Sequence, residues 1–303
     1  MNSPPPIVFH PGYQAELPEG HRFPMRKYGR LAEILLRRGL APSGFVEPEA
    51  ASAELLALAH DSAYVDQVCN VAVPRDIERR IGLPVDDGVV RRARLAAGGT
   101  LLAATLALDH GFAGSAAGGS HHAQRATGAG FCVFNDVAIA AKALKRRGRI
   151  KRALIIDLDV HQGDGTADCL ADDPDLFTFS AHAEKNYPAR KILGDLDIGL
   201  QDELDDDAYL AMLREQVPGL LDRLDPDLVF FNAGVDPHRD DKLGRLALSD
   251  EGLRRRDRLV VHETRRRGIP LVAVIGGGYS TDVDALAARH AIVFEAMAAV
   301  HNS

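Results

Sequence analysis

The sequence predicts a single-domain, three-layer α/β/α protein with a central parallel sheet, and three observations carry that prediction. Short, mostly apolar runs at residues 153–156, 176–182, 227–232 and 269–275 have the length and composition of strands buried on both faces. Segments with apolar residues at helical spacing separate them, as crossover helices between parallel strands would. No linker, composition break, internal repeat or low-complexity segment interrupts residues 1–303, so one domain is expected.

Composition narrows the class. With 46% hydrophobic and 26% charged residues the chain reads as an ordinary globular protein rather than a disordered one. A net charge of -7 offers no general basis for gripping nucleic acid, and Arg146-Arg147 and Arg265-Arg266-Arg267 read as solvated helix faces. Three widely spaced cysteines, Cys69, Cys132 and Cys169, suggest reduced thiols rather than a disulfide framework or thiolate zinc site. The opening Met1-Asn2-Ser3-Pro4-Pro5-Pro6 lacks the basic-then-apolar order of a signal peptide, and no apolar stretch is long enough to cross a bilayer. Cytoplasmic residence without membrane attachment is the expectation.

In chain order, a short strand at residues 7–10 ends at Pro11-Gly12. Met25, Tyr28, Leu31, Ala32 and Leu35 then share one face of a helix that Gly39 stops, and His21 and Arg22 occupy the turn before it, either on the surface or beside a pocket. Two shorter helices are expected at 50–58 and 62–70, followed by a loop through Ile81-Gly82-Leu83-Pro84. The Ala-, Leu- and Arg-rich stretch from Asp87 to Asp109 predicts a long helix ended by Gly111. Next come Gly118-Gly119-Ser120-His121-His122-Ala123 and a glycine-rich loop, Thr127-Gly128-Ala129-Gly130-Phe131-Cys132. Asn135-Asp136 caps a helix to about Arg147.

The strand at 153–156 runs into Asp157-Leu158-Asp159-Val160-His161-Gln162-Gly163-Asp164, which puts charge at a strand's carboxyl end, where open α/β sheets bind ligands. A helical turn near 166–170, the strand at 176–182, a loop with Asn186-Tyr187-Pro188 and an acidic segment at 202–207 lead into a helix to about Leu224. The strand at 227–232 repeats the arrangement, since Asn232-Ala233-Gly234-Val235-Asp236-Pro237 presents an aspartate after it. A helix at 249–267 precedes the last strand, which enters Gly276-Gly277-Gly278-Tyr279 before a closing helix with Leu286 and Ile292 on its apolar side.

The chemistry follows from how these groups divide. Asp157, Asp159 and His161 alternate and could share a face, but three on one ion would be crowded. Adding Asp236 lets Asp159, His161 and Asp236 bind a divalent ion while Asp157 and Asp164 orient the two histidines. Three protein ligands leave a position for water, as in catalytic zinc sites; one nitrogen and two oxygens also suit Fe(II) or Mn(II). An imidazole fixed by a buried carboxylate can take a proton from water and return it to a leaving amine. Tyr279, brought close by three glycines, could donate to the oxyanion.

The motifs GGSHHA, GAGFC-x-x-ND, DLDVHQGDGT, NAGVDP and GGGY, in this order, resemble the histone deacetylase superfamily over nearly the whole chain. HQGD, the NAGVDP context and HRFPMRKY are most similar to its class IV-type and prokaryotic branch. The resemblance implies the arginase–deacetylase fold and zinc held by Asp159, His161 and Asp236. It pairs His121 with Asp157 and His122 with Asp164, with His122 as general base and acid and His121 as electrostatic support. Tyr279 would polarise the acyl carbonyl. Gly130, Phe131 and Tyr187 would wall the lysine tunnel, Gly277 would lie against substrate, and a structural potassium ion would use the Ser180 hydroxyl.

Two positions depart from the family. The rim loop reads Ile81-Gly82-Leu83-Pro84 where many members carry an aspartate for the substrate backbone. Leu243 stands where polyamine-selective relatives have a glutamate, which removes the partner for a second cationic amine. The expected activity is hydrolysis of an acyl-lysine amide, acetyl or longer, by metal-activated water, in a monomer or homodimer. The alternatives are an amidohydrolase for acetylpolyamines or other small acylated amines, a binuclear manganese ureohydrolase, and an inactive acyl-lysine binder.

Overall fold

The computed structural model describes residues 4–301, so Met1, Asn2 and Ser3 of the opening segment lie outside it. Strand β1 (Ile7–Val8) is followed by a 3-10 turn at Pro11–Tyr13 and helix α1 (Lys27–Arg37), which buries Tyr28, Leu31, Ala32 and Leu35 as their spacing predicts. The short helices α2 (Ala53–Leu56), α3 (Ser62–Cys69) and α4 (Arg75–Ile81) lead to the long α5 (Asp87–His110) and strand β2 (Phe112–Ser115). Helix α6 (Asp136–Arg146) starts on the Asn135 side chain, which accepts from the Ala138 N–H. The second half runs β3 (Ala153–Asp157), α7 (Asp164–Leu170), β4 (Leu176–Ala183), β5 (Leu196–Leu200), α8 (Asp206–Leu224), β6 (Leu228–Asn232), α9 (Asp250–Arg265), β7 (Leu271–Val274) and α10 (Val283–His301).

Every strand pairing is parallel, and the sheet order is β1-β2-β7-β6-β3-β4-β5. Helices α5 and α6 pack together over the sheet, while α10 packs on α1, α9 and β2. The order explains where the chemistry collects. From β3 the chain moves outward to β4 and β5, whereas from β6 it moves the other way to β7. Connections leaving β3 and β6 therefore diverge, and a crevice opens at their carboxyl ends. Asp157 and Asn232 stand side by side in the register at that edge.

Four elements differ from expectation. Strand β2 (FAGS) and edge strand β5 (LDIGL) escaped notice because glycine and small or acidic residues replace the β-branched run that marks a strand. Helix α4 (RDIERRI) stands where only a loop was expected; it is mostly charged, and among its residues only Ile81 is fully buried. The helix expected at 50–58 shrinks to the single turn Ala53–Leu56, started by the Ser52 hydroxyl accepting from the Leu55 N–H.

Candidate active site

Three loops meet at the crevice. The first leaves β3 and turns back on itself: Asp157 Oδ1 accepts from the Asp159 N–H at 3.1 Å, and Asp159 Oδ1 accepts from the His161 N–H at 2.9 Å. The second leaves β6, and Asp236 Oδ1 accepts from the Val160 N–H at 2.9 Å, which ties it to the first. The third follows β7 and carries Tyr279, whose backbone N–H donates to Asp241 at 2.7 Å.

Asp159, His161 and Asp236 are all buried, and one potential ligand atom from each falls within 4.8 Å of the others. His161 Nδ1 lies 2.9 Å from Asp159 Oδ1 and 3.2 Å from Asp236 Oδ2. Asp159 Oδ2 and Asp236 Oδ2 are buried with no hydrogen-bond partner, a costly state for carboxylate oxygens unless a cation takes them. The space between them is kept open by glycine. A Cβ on Gly277 would stand 2.1 Å from Asp236 Oδ2 and 2.6 Å from Asp159 Oδ2, and one on Gly234 would stand 2.8 Å from the latter. Burial disfavours a charged His161, yet the two carboxylates beside its Nδ1, Asp159 and Asp236, outweigh that and raise it to about 10. The donor set, the orphaned oxygens and this attraction for positive charge all fit a divalent ion.

Two histidine–carboxylate pairs flank the triad. His121 Nδ1 is 2.7 Å from Asp157 Oδ2, and His122 Nδ1 is 2.6 Å from Asp164 Oδ1, all four residues being buried. The pairs differ in their electrostatics. Burial opposes a charge on His121, but Asp157 and Asp159 together push it up to about 9. His122 is pulled down to about 3 by burial and by its neighbour His121, since only one carboxylate supports it. Burial, reinforced by Asp159 and Asp236, raises the Tyr279 phenol well above its ordinary value, so it keeps its proton and can donate.

A cavity of ≈ 570 Å³ opens above this floor. His122, His161, Gly130, Phe131, Tyr187, Leu243 and Tyr279 all line it, so the expected tunnel residues and the expected reactive ones share one space. Gly277 is placed otherwise. It does not line this cavity; it lines a small adjoining one with His121, His122, Phe131 and Tyr279, and its carbonyl accepts from the buried Lys27 ammonium. Ser180 is buried beside the β3 loop, its hydroxyl accepting from the Gly163 N–H at 3.4 Å and lying 3.0 Å from His182 Nδ1.

Several contributors were not singled out from the sequence. Asn232 donates to Asp157 Oδ1 at 2.9 Å, and Gln124 donates to Asp164 Oδ2 at 3.0 Å, so both orienting carboxylates are themselves held. Arg256 is fully buried and donates through Nη1 to the Gly234 carbonyl at 2.5 Å and the Leu158 carbonyl at 3.3 Å, bridging the two ligand loops. Its one available signal was an arginine between apolar positions of α9. Arg22, Arg79 and Arg80 line the cavity mouth, which settles the turn at residue 22 as beside the pocket.

A parallel α/β sheet with a buried Asp–His–Asp group that could hold a metal ion and flanking histidine–carboxylate pairs at its carboxyl edge has the make-up of a hydrolase site. The match of the histone deacetylase domain to residues 21–296 makes the family definite: the chain belongs to the histone deacetylase family, whose members are deacetylases acting on acetylated substrates. It is 47% identical over 292 residues to an uncharacterized protein of Picosynechococcus, covering 96% of this chain and 97% of that one. It is also 34% identical over 270 residues to histone deacetylase 2 of Arabidopsis thaliana, covering 86% of this chain and 70% of the relative. The crystal structure of the HDA15 HD domain shares the fold, with a TM-score of 0.80 at 20% identity over 98% of this chain and 89% of that one. Among the described residues no helix is long and apolar enough to cross a membrane.

Proposed function

We propose that this protein hydrolyses the amide of an acyl-lysine, releasing the free amine and a carboxylate. The observation that carries the reading is the stacking of one space: buried carboxylate oxygens without partners at the floor, two histidine–carboxylate pairs and a protonated tyrosine beside them, and aromatic walls above. Asp159, His161 and Asp236 would hold the ion, with zinc favoured by three protein ligands and Fe(II) compatible with the same donors. When bound, the metal supplies Lewis acidity to the water and the amide carbonyl.

The protein's own groups do the rest. His122, fixed through Nδ1 by Asp164, takes a proton from the attacking water as the C–O bond forms, then delivers it to the lysine nitrogen as the C–N bond breaks. Asp164 holds the tautomer and stabilises the imidazolium between those steps. Tyr279 donates to the carbonyl oxygen as negative charge develops there. His121, charged between Asp157 and Asp159, supplies field rather than a proton. Phe131 and Tyr187 flank the aliphatic stem, and a potassium ion at the Ser180 hydroxyl would steady the β3 loop.

Assaying the metal-loaded protein on acetyl- and longer acyl-lysine peptides tests this reading, with acetylated polyamines in parallel. Turnover of at least one acyl-lysine peptide, faster than any polyamine, is expected because Leu243 offers no charge to a second amine. Absence of turnover on every peptide, with metal bound and the fold intact, would overturn it, and faster polyamine cleavage would replace it.

A further inference from the structure

We infer that the cavity mouth is a subsite for a carboxylate carried by the substrate, an inference that rests on the acyl-lysine reading above. The cavity has thirteen lining residues; three are arginines, Arg22, Arg79 and Arg80, and none is an aspartate or glutamate. The arginines are exposed, and among the described residues none of the three forms an ion pair. Arg22 stacks its guanidinium 5.0 Å from the centre of the Phe131 ring, and Arg79 uses Nε only for the Arg75 carbonyl of its own helix at 3.3 Å. Glu78 forms no ion pair with them; its Oε1 accepts from the Val85 N–H at 3.0 Å. On a chain of net charge -7, this local excess is a property of the mouth and not of the whole surface.

The mouth is also fixed relative to the tunnel. The Arg80 carbonyl accepts from the Gly130 N–H at 3.0 Å and the Ile81 carbonyl from the Phe131 N–H at 2.6 Å. Phe131 itself sits at φ 67, a left-handed conformation that a bulky residue adopts only when its surroundings impose it. A carboxylate held by Arg79 and Arg80 is thereby registered against the wall that guides the lysine stem. Two sources present that group at a suitable place: an acidic residue beside the acyl-lysine in a peptide, or the α-carboxylate of the acyl-lysine itself. Exposed pairs are individually weak and screened by salt, so together they should favour the anionic substrate by about tenfold at low ionic strength.

The test compares kcat/KM for matched substrates in the metal-loaded wild type and in Arg79→Glu/Arg80→Glu and Arg22→Ala variants. One pair is an acetyl-lysine peptide flanked by Glu or by Gln; the other ends in acetyl-lysine with a free or an amidated carboxyl group. A Glu/Gln or acid/amide ratio of about ten at low salt, falling toward one in high salt and in the double variant, is expected, and the pair that responds identifies the source. Ratios near one in the wild type, or ratios that survive charge reversal, would overturn the subsite. Cleavage of the Gln-flanked peptide reads the chemistry separately. Should no peptide be cleaved, fluorescence anisotropy of labelled peptides from both pairs still decides the matter, since equal affinities within both pairs overturn the subsite and tighter binding of the Glu or free-acid member that the double variant abolishes supports it.

Discussion

Replacing Arg256 by methionine should separate what holds the two ligand loops together from what ligates the ion. The guanidinium is fully buried, pairs with the buried Asp257 at 2.8 Å, and donates to the carbonyls of Leu158 and Gly234, one residue before Asp159 and two before Asp236. Removing it leaves the Asp257 carboxylate without its cation, for which about 3–5 kcal/mol is the usual penalty. Against a total stability of about 5–15 kcal/mol that is a large fraction. Arg256→Met/Asp257→Leu removes both charges and leaves only the two carbonyls short of a donor, about 1–3 kcal/mol each at most. Urea unfolding should therefore show the double variant recovering much of the loss. Metal affinity, read by competition with a chelator, should stay roughly 10–100-fold weaker in both variants, because the loops have lost their common donor. A single variant destabilised by less than about 1 kcal/mol would refute the buried-pair argument. Wild-type metal affinity in the double variant would refute the bridging role.

Three further outcomes follow from the same geometry. Tyr279→Phe should lower kcat by about 10²–10³ while metal content is retained, and a loss below about tenfold would remove Tyr279 from the role of oxyanion donor. Gly277→Ala should lose metal in elemental analysis of the purified protein, since φ is +54 and the new Cβ would stand 2.1 Å from Asp236 Oδ2; full stoichiometry would mean that the loop relaxes. His60 should make stability depend on pH. Its Nδ1 donates to the Gln124 carbonyl and its Nε2 accepts from the Asn135 N–H, each at 2.9 Å, and burial pulls it from 6.5 down to about 4. The unfolded chain binds the proton first, so this stability is whole above 6.5 and is lost as pH falls toward 4, by roughly 3 kcal/mol in all. Unfolding midpoints across that range should fall more steeply in wild type than in His60→Gln, and equal slopes would contradict the assignment.

How much could be read in advance depended on how each feature is encoded. Strands β3, β4, β6 and β7 are legible because burial on both faces demands continuous apolar runs, and the β3 and β6 loops follow them directly. Asp157, Asp159, His161 and Asp236 were therefore readable as a group: their backbones are only a few residues from strand ends that the parallel register aligns. Strand β2 hid because Gly114 must lack a side chain there, a Cβ falling 2.6 Å from the Phe294 ring on α10. That requirement comes from a helix nearly two hundred residues away in the chain, and no local pattern announces it.

The arginines of α4 at the mouth were illegible for a related reason, whereas Gly130, Phe131, Tyr187 and Leu243 were placed there by the family resemblance, and the contrast bears on specificity. The walls of the mouth come from the turn at residue 22, the end of α4, the loops at 130–131 and 186–187, and residue 243, joined by contacts such as the Asn186 side-chain amide donating to the Leu243 carbonyl at 2.8 Å. No two of these segments are neighbours in sequence, and none has a periodicity to detect. The floor is built from residues that the sheet positions, so a change there alters the fold or the metal site along with the chemistry. The rim is built from side chains on a short polar helix and on loops, so Arg79 and Arg80 can change without disturbing a strand. Selection among amides is thus physically separable from cleavage of the amide, and the charge at the mouth is the part of this site that is free to specify which substrate arrives.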